Sequence, residues 1–243
     1  PLFVHLNWAQ VRDIPANAGT DTIKFRKYGA LAAQTTALSE GVTPSGKKLS
    51  ITDITAQVQY YGDYVTLTDK VVYETYDPIL TETADVLGEQ VGDSLDKICR
   101  DILAAGTTSQ LASTANARTD ITAAMKLTRA EVKEAVRTLK QNNAKPITGR
   151  LDPVTGFNTI PLNRCFVGIV HVNTTYDLEE ETGWVPVEKY PNKNDVMPGE
   201  VGSLAGVRFV ETTNAKVFTG GGSGGVDVYA TLIFGGMAYG ITR

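Results

Sequence analysis

Two hydrophobic periods divide the chain. Over Thr22-Ile-Lys-Phe-Arg-Lys-Tyr28 long polar and apolar residues alternate, the pattern of a strand with one buried face. A second extended run begins at Ile51, where Ile54, Ala56, Val58 and Tyr60 alternate with Thr55, Gln57 and Gln59; after Gly62 the alternation resumes through Tyr64, Val65 and Leu67. The two runs are expected to pair as an antiparallel ribbon. Residues 29–50 between them hold few side chains able to anchor a core. Compact domains rarely accept a connection beyond about 15 residues unless it is functional or disordered. A loose surface loop and an arm that orders on a neighbour both fit.

The period then changes. Asp77-Pro78 is a helix-start signal, with Asp at the N-cap and Pro at the first helical position, and no stop signal follows until Gly106. Leu80, Ala84, Leu87, Val91, Leu95, Ile98 and Ile102 recur at steps of three or four and form one apolar stripe, while Glu82, Asp85, Glu89, Asp93 and Asp96 form an acidic face. A helix over residues 78–105 would reach about 42 Å, long enough to act as a spar. Gly88 and Gly92 inside it each weaken a helix by about 1 kcal/mol relative to Ala, which close approach of another backbone would explain.

Thr128-Arg-Ala-Glu131 matches a capping box and opens a second helix with Val132, Val136 and Leu139 inward, ending near Asn142 and Asn143. Residues 147–163, rich in Gly and Pro, predict a loop or short hairpin. Cys165-Phe-Val-Gly-Ile-Val170 is a continuous apolar run suited to a central strand buried on both faces. Tyr176 to Glu181 reads as a short helix or turn. Gly206–Val210 and Val226–Phe234 read as strands, with glycine-rich Gly220–Gly225 as a turn before the second. The pattern predicts an α+β architecture with a projecting ribbon.

Composition narrows the function. At 243 residues, 42% hydrophobic and 21% charged, the chain can bury a core, and a formal charge of -4 argues against a protein devoted to gripping phosphate backbones. No apolar run approaches the roughly 20 residues of a membrane-spanning helix. Cys99 and Cys165 fit small apolar packing residues of a reducing compartment better than a disulfide.

Candidate chemistry is sparse. His5 and His171 are the only histidines, and His171 closes the buried strand, but no nucleophile motif surrounds it. Asp177, Glu179, Glu180 and Glu181 supply oxygen ligands without the spacing of a calcium loop, so a solvated acidic surface describes them better. The glycine run lacks the Lys-Ser or Lys-Thr of a phosphate loop. Lys24, Arg26 and Lys27 on the first ribbon strand and Lys47 with Lys48 near its far end, set beside the acidic helix face, look like complementary charges for protein contacts. No cofactor or metal site is expected.

Several segments carry a family resemblance by their order and spacing: Ile23-Lys-Phe-Arg-Lys-Tyr-Gly29, Leu38-Ser-Glu-Gly-Val-Thr-Pro44, Tyr61-Gly-Asp-Tyr-Val-Thr-Leu-Thr-Asp69, Leu87-Gly-Glu-Gln90, Arg100-Asp-Ile-Leu-Ala-Ala-Gly106, Asn143-Ala-Lys-Pro-Ile-Thr148 and Gly206-Val-Arg-Phe-Val-Glu-Thr212. Together they resemble major capsid proteins of tailed bacteriophages, in a branch similar to the N4-like phages, which share the Hong Kong 97 capsid fold. The resemblance implies an N-terminal arm remnant over residues 1–21 and an extended loop with its base over 22–68. It implies a peripheral domain over 69–118 with the spine helix 78–105. The axial domain would follow over 119–243, with a central sheet and a peripheral hairpin near 147–163. Family members generally carry an N-terminal arm and further C-terminal sequence, which leaves room for residues beyond both ends of this chain.

The function so implied is structural and not enzymatic. Copies would form hexamers and pentamers of an icosahedral head shell, assembled in the host cytoplasm and enclosing double-stranded DNA without sequence-specific binding, with portal, scaffolding and decoration proteins as further partners. Glu40, Thr43, Lys47, Lys48, Lys24, Arg26, Glu82, Asp85 and Glu89 are the expected contacts between subunits. The alternatives are an encapsulin-like compartment shell, a decoration or tail protein, and a small-molecule enzyme built on His171 and the acids 177–181.

Overall fold

The computed structural model describes residues 4–15, 17, 19–106, 108–151, 159–191 and 196–242. The chain forms two units, one of residues 10–61 with 239–243 and the other of residues 62–238 together with the segment ending at Ala9.

In the smaller unit, strand β1 (Gln10–Arg12) precedes β2 (Thr22–Tyr28) and β3 (Ile51–Gln57). Strands β2 and β3 pair antiparallel in unbroken register from Thr22 opposite Gln57 to Tyr28 opposite Ile51, the ribbon expected from the alternation. Ile23 and Phe25 are half-buried while Thr22, Lys24 and Arg26 face solvent. The Arg12 guanidinium lies 5.3 Å from the centre of the Phe25 ring, and its Nη1 donates to the Lys24 carbonyl at 3.2 Å. The extended run does not resume after Gly62, because residues 58–68 form no strand. Their alternation has no partner strand to complete a ladder.

The larger unit begins with α1 (Asp69–Glu74), unforeseen in the sequence, and α2 (Ile79–Ala104), a helix of 26 residues. Asp77 does not cap α2 with its side chain. Pro78 occupies the N-cap, and Asp77 contributes its backbone carbonyl, which accepts from the Ile79 N–H at 2.8 Å. Helix α3 (Arg129–Gln141) starts as its capping box predicts, with the Thr128 N–H donating to Glu131 Oε2 at 2.8 Å, and ends where Asn143 turns to φ 53°.

Next come β4 (Ile147–Leu151), β5 (Thr159–Val170), α4 (Val172–Glu179), β6 (Val185–Pro186), β7 (Glu200–Leu204) and β8 (Val207–Glu211). The unit closes with β9 (Val217–Phe218), β10 (Val228–Tyr229) and β11 (Leu232–Phe234), and β12 (Gly240–Thr242) returns to the smaller unit to pair parallel with β1. The main sheet has the order β11-β5-β8-β7-β6, with β5 and β8 parallel, and β4 pairs with β5 as the arms of an antiparallel hairpin. The tip of that hairpin, 152–158, lies outside the described residues, as do parts of the expected N-terminal arm.

Strand β5 runs through the centre of the sheet, and Phe166, Val167, Ile169 and Val170 are all buried, as an apolar run without alternation requires. One core face packs Phe166, Val170, Val207 and Phe209 against Val132 and Val136 of α3 and Leu178 of α4. Gly168 is glycine for a packing reason: a Cβ there would stand 2.7 Å from the Phe209 ring. The expected strand Val226–Phe234 is divided, since β10 pairs with β9 and β11 with β5. Between them the Ala230 N–H donates to the Lys216 carbonyl at 2.9 Å.

Within the subunit α2 finds no cover for its apolar stripe: Leu80, Val91, Leu95 and Ile102 are exposed by 60, 55, 43 and 69%. The residues it buries are Asp96 and Cys99, on another face of its second half. Gly88 meets no other backbone, because a Cβ there would touch nothing within 4 Å.

Candidate assembly surface

In the smaller unit the ribbon ends in a loop whose neck is closed by the Gly29 N–H donating to the Ser50 carbonyl at 2.9 Å. Every residue from Ala30 to Ser50 is exposed, including Leu31, Leu38, Val42 and Leu49. The loop holds itself with a few polar contacts: Val42 N–H donates to the Ser39 carbonyl at 3.3 Å, and Lys47 Nζ donates to the Ala32 carbonyl at 2.8 Å. Glu40, Thr43, Lys47 and Lys48 lie in this loop, and Lys24 and Arg26 lie on β2, all exposed; Arg26 Nε is 3.5 Å from Asp53. Such a loop has no apolar floor of its own. Its conformational entropy is offset only when something covers it.

In the larger unit Glu82, Asp85 and Glu89 are exposed on the first half of α2. The acidic face does not extend along the whole helix. Asp93 pairs with Lys97 at 2.5 Å and accepts from Asn214 at 2.9 Å, and Asp96 is fully buried. Asp96 Oδ1 accepts the His5 backbone N–H at 2.8 Å, its Oδ2 lies 2.9 Å from His5 Nδ1, and Cys99 Sγ lies 3.4 Å from the His5 carbonyl. Thus the segment around His5 is fastened to the second half of α2 by fully buried hydrogen bonds to Asp96, while the first half carries its charges to the surface. No pattern in the sequence joined His5 to Asp96. A lone histidine and one acid of a five-acid face gave no spacing to read.

Tyrosines add to the uncovered surface. Five of the ten in the chain fall at Tyr60, Tyr61, Tyr64, Tyr73 and Tyr76, and all are exposed, Tyr60 by 96% and Tyr73 by 88%. Helix α1 buries no residue at all. Tyrosine and large aliphatic side chains left bare in contiguous stretches are the composition of a protein–protein interface. The density of tyrosine between 60 and 76 was the available signal, and the alternation reading had assigned Tyr60 and Tyr64 to a strand.

Among the described residues, His171 and two of the acids 177–181 have structural partners. His171 caps α4: its Nδ1 accepts the Asn173 N–H at 3.1 Å, and its ring lies 4.8 Å from that of Tyr229. Burial holds its imidazole below the usual histidine range despite the nearby Glu211 carboxylate. Asp177 pairs with Lys126 at 2.6 Å, and Glu181 accepts the Arg129 N–H at 3.2 Å, so these acids serve other partners. One shallow concavity is lined by residues of α3 with Ala205 and another by Ser113, Ala124–Lys126 and the start of α3; neither is lined by His171. Among the described residues no cluster of three or more His, Cys, Asp or Glu is placed to hold a metal ion, and no helix is long and apolar enough to cross a membrane.

The backbone has counterparts among solved structures. It superposes on a chain of the capsid of Ralstonia phage GP4 with a TM-score of 0.70 at 13% identity, covering 95% of this chain and 72% of that one. The fold is a Hong Kong 97-type capsid fold. The same α+β capsid fold recurs in the capsid asymmetric unit of cyanophage Pam1, at TM-score 0.61 and 16% identity over 96% of this chain and 75% of that one. It recurs in the head structure of Helicobacter pylori bacteriophage KHP40, at TM-score 0.60 and 12% identity over 84% of this chain and 55% of that one. No protein-family profile matches the sequence, and no curated protein matches it.

Proposed function

We propose that this chain is a structural subunit, the major capsid protein of a tailed bacteriophage in a branch similar to the N4-like phages. Its copies assemble in the host cytoplasm as hexamers and pentamers of an icosahedral head that encloses double-stranded DNA. The observation that carries the reading is a capsid fold whose projecting loop and 26-residue helix both leave large apolar side chains uncovered. Loop residues 29–50 reach over a neighbouring subunit and α2 is the spine of a peripheral domain, with the main sheet and α3 in the axial domain. Glu40, Thr43, Lys47, Lys48, Lys24, Arg26, Glu82, Asp85 and Glu89 lie in contacts between copies, and portal, scaffolding and decoration proteins complete the particle. Many contacts of modest strength become stable together because each closed ring makes the next contact intramolecular.

Electron microscopy of the purified chain tests this. Closed icosahedral shells are the expected result, and monodisperse small particles reject it. Shells holding an enzyme in place of DNA would make the chain a compartment protein. Deleting Thr35 to Lys48 is expected to leave a folded subunit that cannot close shells; normal particles from the deletion would remove the loop from the mechanism.

A further inference from the structure

Helix α3 carries a feature that neither its capping nor its core packing uses. Lys133, Arg137 and Lys140, at steps of four and three residues, line an open groove of about 500 Å³ with Gln141, over a floor of Val136 and Ala205. The three cations are exposed. Arg137 reaches Glu134 at 2.9 Å, whereas Lys133 and Lys140 make no ion pair among the described residues. The row spans about 10.5 Å, two turns of helix.

The groove has a match in the same chain. Glu82, Asp85 and Glu89 on α2, at steps of three and four, form a row of carboxylates of the same length, and none makes an ion pair among the described residues. Both rows lie in the larger unit, so within one subunit their separation is fixed by the fold, and no hydrogen bond or ion pair joins them there. We propose that the α3 groove of one subunit receives the acidic row of α2 from a second copy. This pairing rests on the shell-subunit reading and assigns the acids a specific partner. The contact is heterologous, with different patches on the two copies, so it propagates around a ring instead of stopping at a dimer.

Two other assignments fit less well. The cations of the smaller unit are partly committed, Lys47 to the Ala32 carbonyl and Arg26 toward Asp53, and they sit on a loop and ribbon without an apolar floor. A nucleic-acid duplex presents a face far wider than one helix, and it would meet Glu134, which reaches Arg137 at 2.9 Å. A single helix is narrow enough to contact the basic row alone.

Charge reversal tests the contact in the full chain. Lys133→Glu with Lys140→Glu, and separately Glu82→Lys with Glu89→Lys, should each lower the yield of closed shells at least tenfold by sedimentation and electron microscopy. All four substitutions in one chain should restore the yield to within about threefold of wild type. Far-UV circular dichroism checks that each subunit is folded. Should a reversed chain fail to fold, Lys133→Gln with Lys140→Gln carries the test: its shell yield should fall, and it should lose the salt sensitivity of wild-type assembly. Wild-type yield from either reversed pair, or no recovery in the fourfold variant, overturns the contact. So does loss of packaged DNA from shells that form normally. A wild-type chain that forms no shells overturns the shell reading itself, and the contact with it.

Discussion

Replacing Asp96 with alanine should destabilise the folded chain by about 3–5 kcal/mol, the cost of breaking a buried pair by removing one partner. The carboxylate is fully buried and accepts from the His5 backbone N–H at 2.8 Å and Asn214 Nδ2 at 3.4 Å, with His5 Nδ1 at 2.9 Å. Deleting it takes the acceptor from a buried backbone donor, at about 1–3 kcal/mol, and removes the hydrogen-bond partner of the buried His5 Nδ1 besides. Urea unfolding at pH 7, followed by far-UV circular dichroism, measures the loss. His5→Ala and the double variant complete a cycle, with a coupling of at least about 1.5 kcal/mol expected, because once either side chain is gone the other has less to lose. The pair also sets a pH dependence. Burial alone would raise the Asp96 carboxyl, but the hydrogen bonds and charge of His5 outweigh it and hold the group below the ordinary value of 3.8. A carboxyl depressed in the folded state contributes stability that is complete above its unfolded value and is lost as pH falls through the folded one. Stability should therefore decline below pH about 4, and Asp96→Asn should flatten that decline. A cost to alanine under about 1 kcal/mol, or a coupling near zero, would refute the claim that this pair fastens the N-terminal segment.

Three further outcomes follow from packing and exposure. Gly168→Ala should cost about 1–3 kcal/mol in the same unfolding assay, since its Cβ would stand 2.7 Å from the Phe209 ring in a filled core. Burial pushes the Cys99 thiol up to about 11, so iodoacetamide at pH 8 should label it at least about tenfold more slowly in the folded chain than in urea, as mass spectrometry of the peptide would show. Val91→Ser with Ile102→Ser should leave subunit stability within about 0.5 kcal/mol, because both side chains are already exposed, yet reduce shell yield; an unchanged yield would mean that nothing covers this stripe.

The sequence was legible where one local signal decides the structure. The capping box at Thr128, the uninterrupted apolar run at Cys165 and the alternation of Thr22–Tyr28 each became the element expected. It was illegible where the deciding partner is remote. Residues 64–67 alternate like a strand but have no ladder to join, and Val226–Phe234 is divided because two different strands claim its halves. His5 and Asp96 are 91 residues apart, and neither identity nor spacing marks them as a pair. The charged residues of the loop and of the first half of α2 lie at exposed positions, whereas the basic row on α3 had drawn no reading from the sequence.

The uncovered stripe of α2 bears most directly on function. A period of 3.6 residues shows which face of a helix is apolar, but it does not say whose atoms cover that face. In a chain that completes its core alone the two questions have one answer, and the stripe would have been buried by the sheet. Here the subunit covers only the face holding Asp96 and Cys99, leaving Leu80, Val91, Leu95 and Ile102 bare. Burying each such side chain is worth about 1.5–3 kcal/mol, part of which association consumes in lost freedom. Four of them on one stripe suit a contact made repeatedly in a large assembly, where each interface can remain weak. The stripe carries the periodicity of a core helix without a cover from its own subunit, and the shell yield of the Val91→Ser, Ile102→Ser chain decides whether a neighbouring copy provides one.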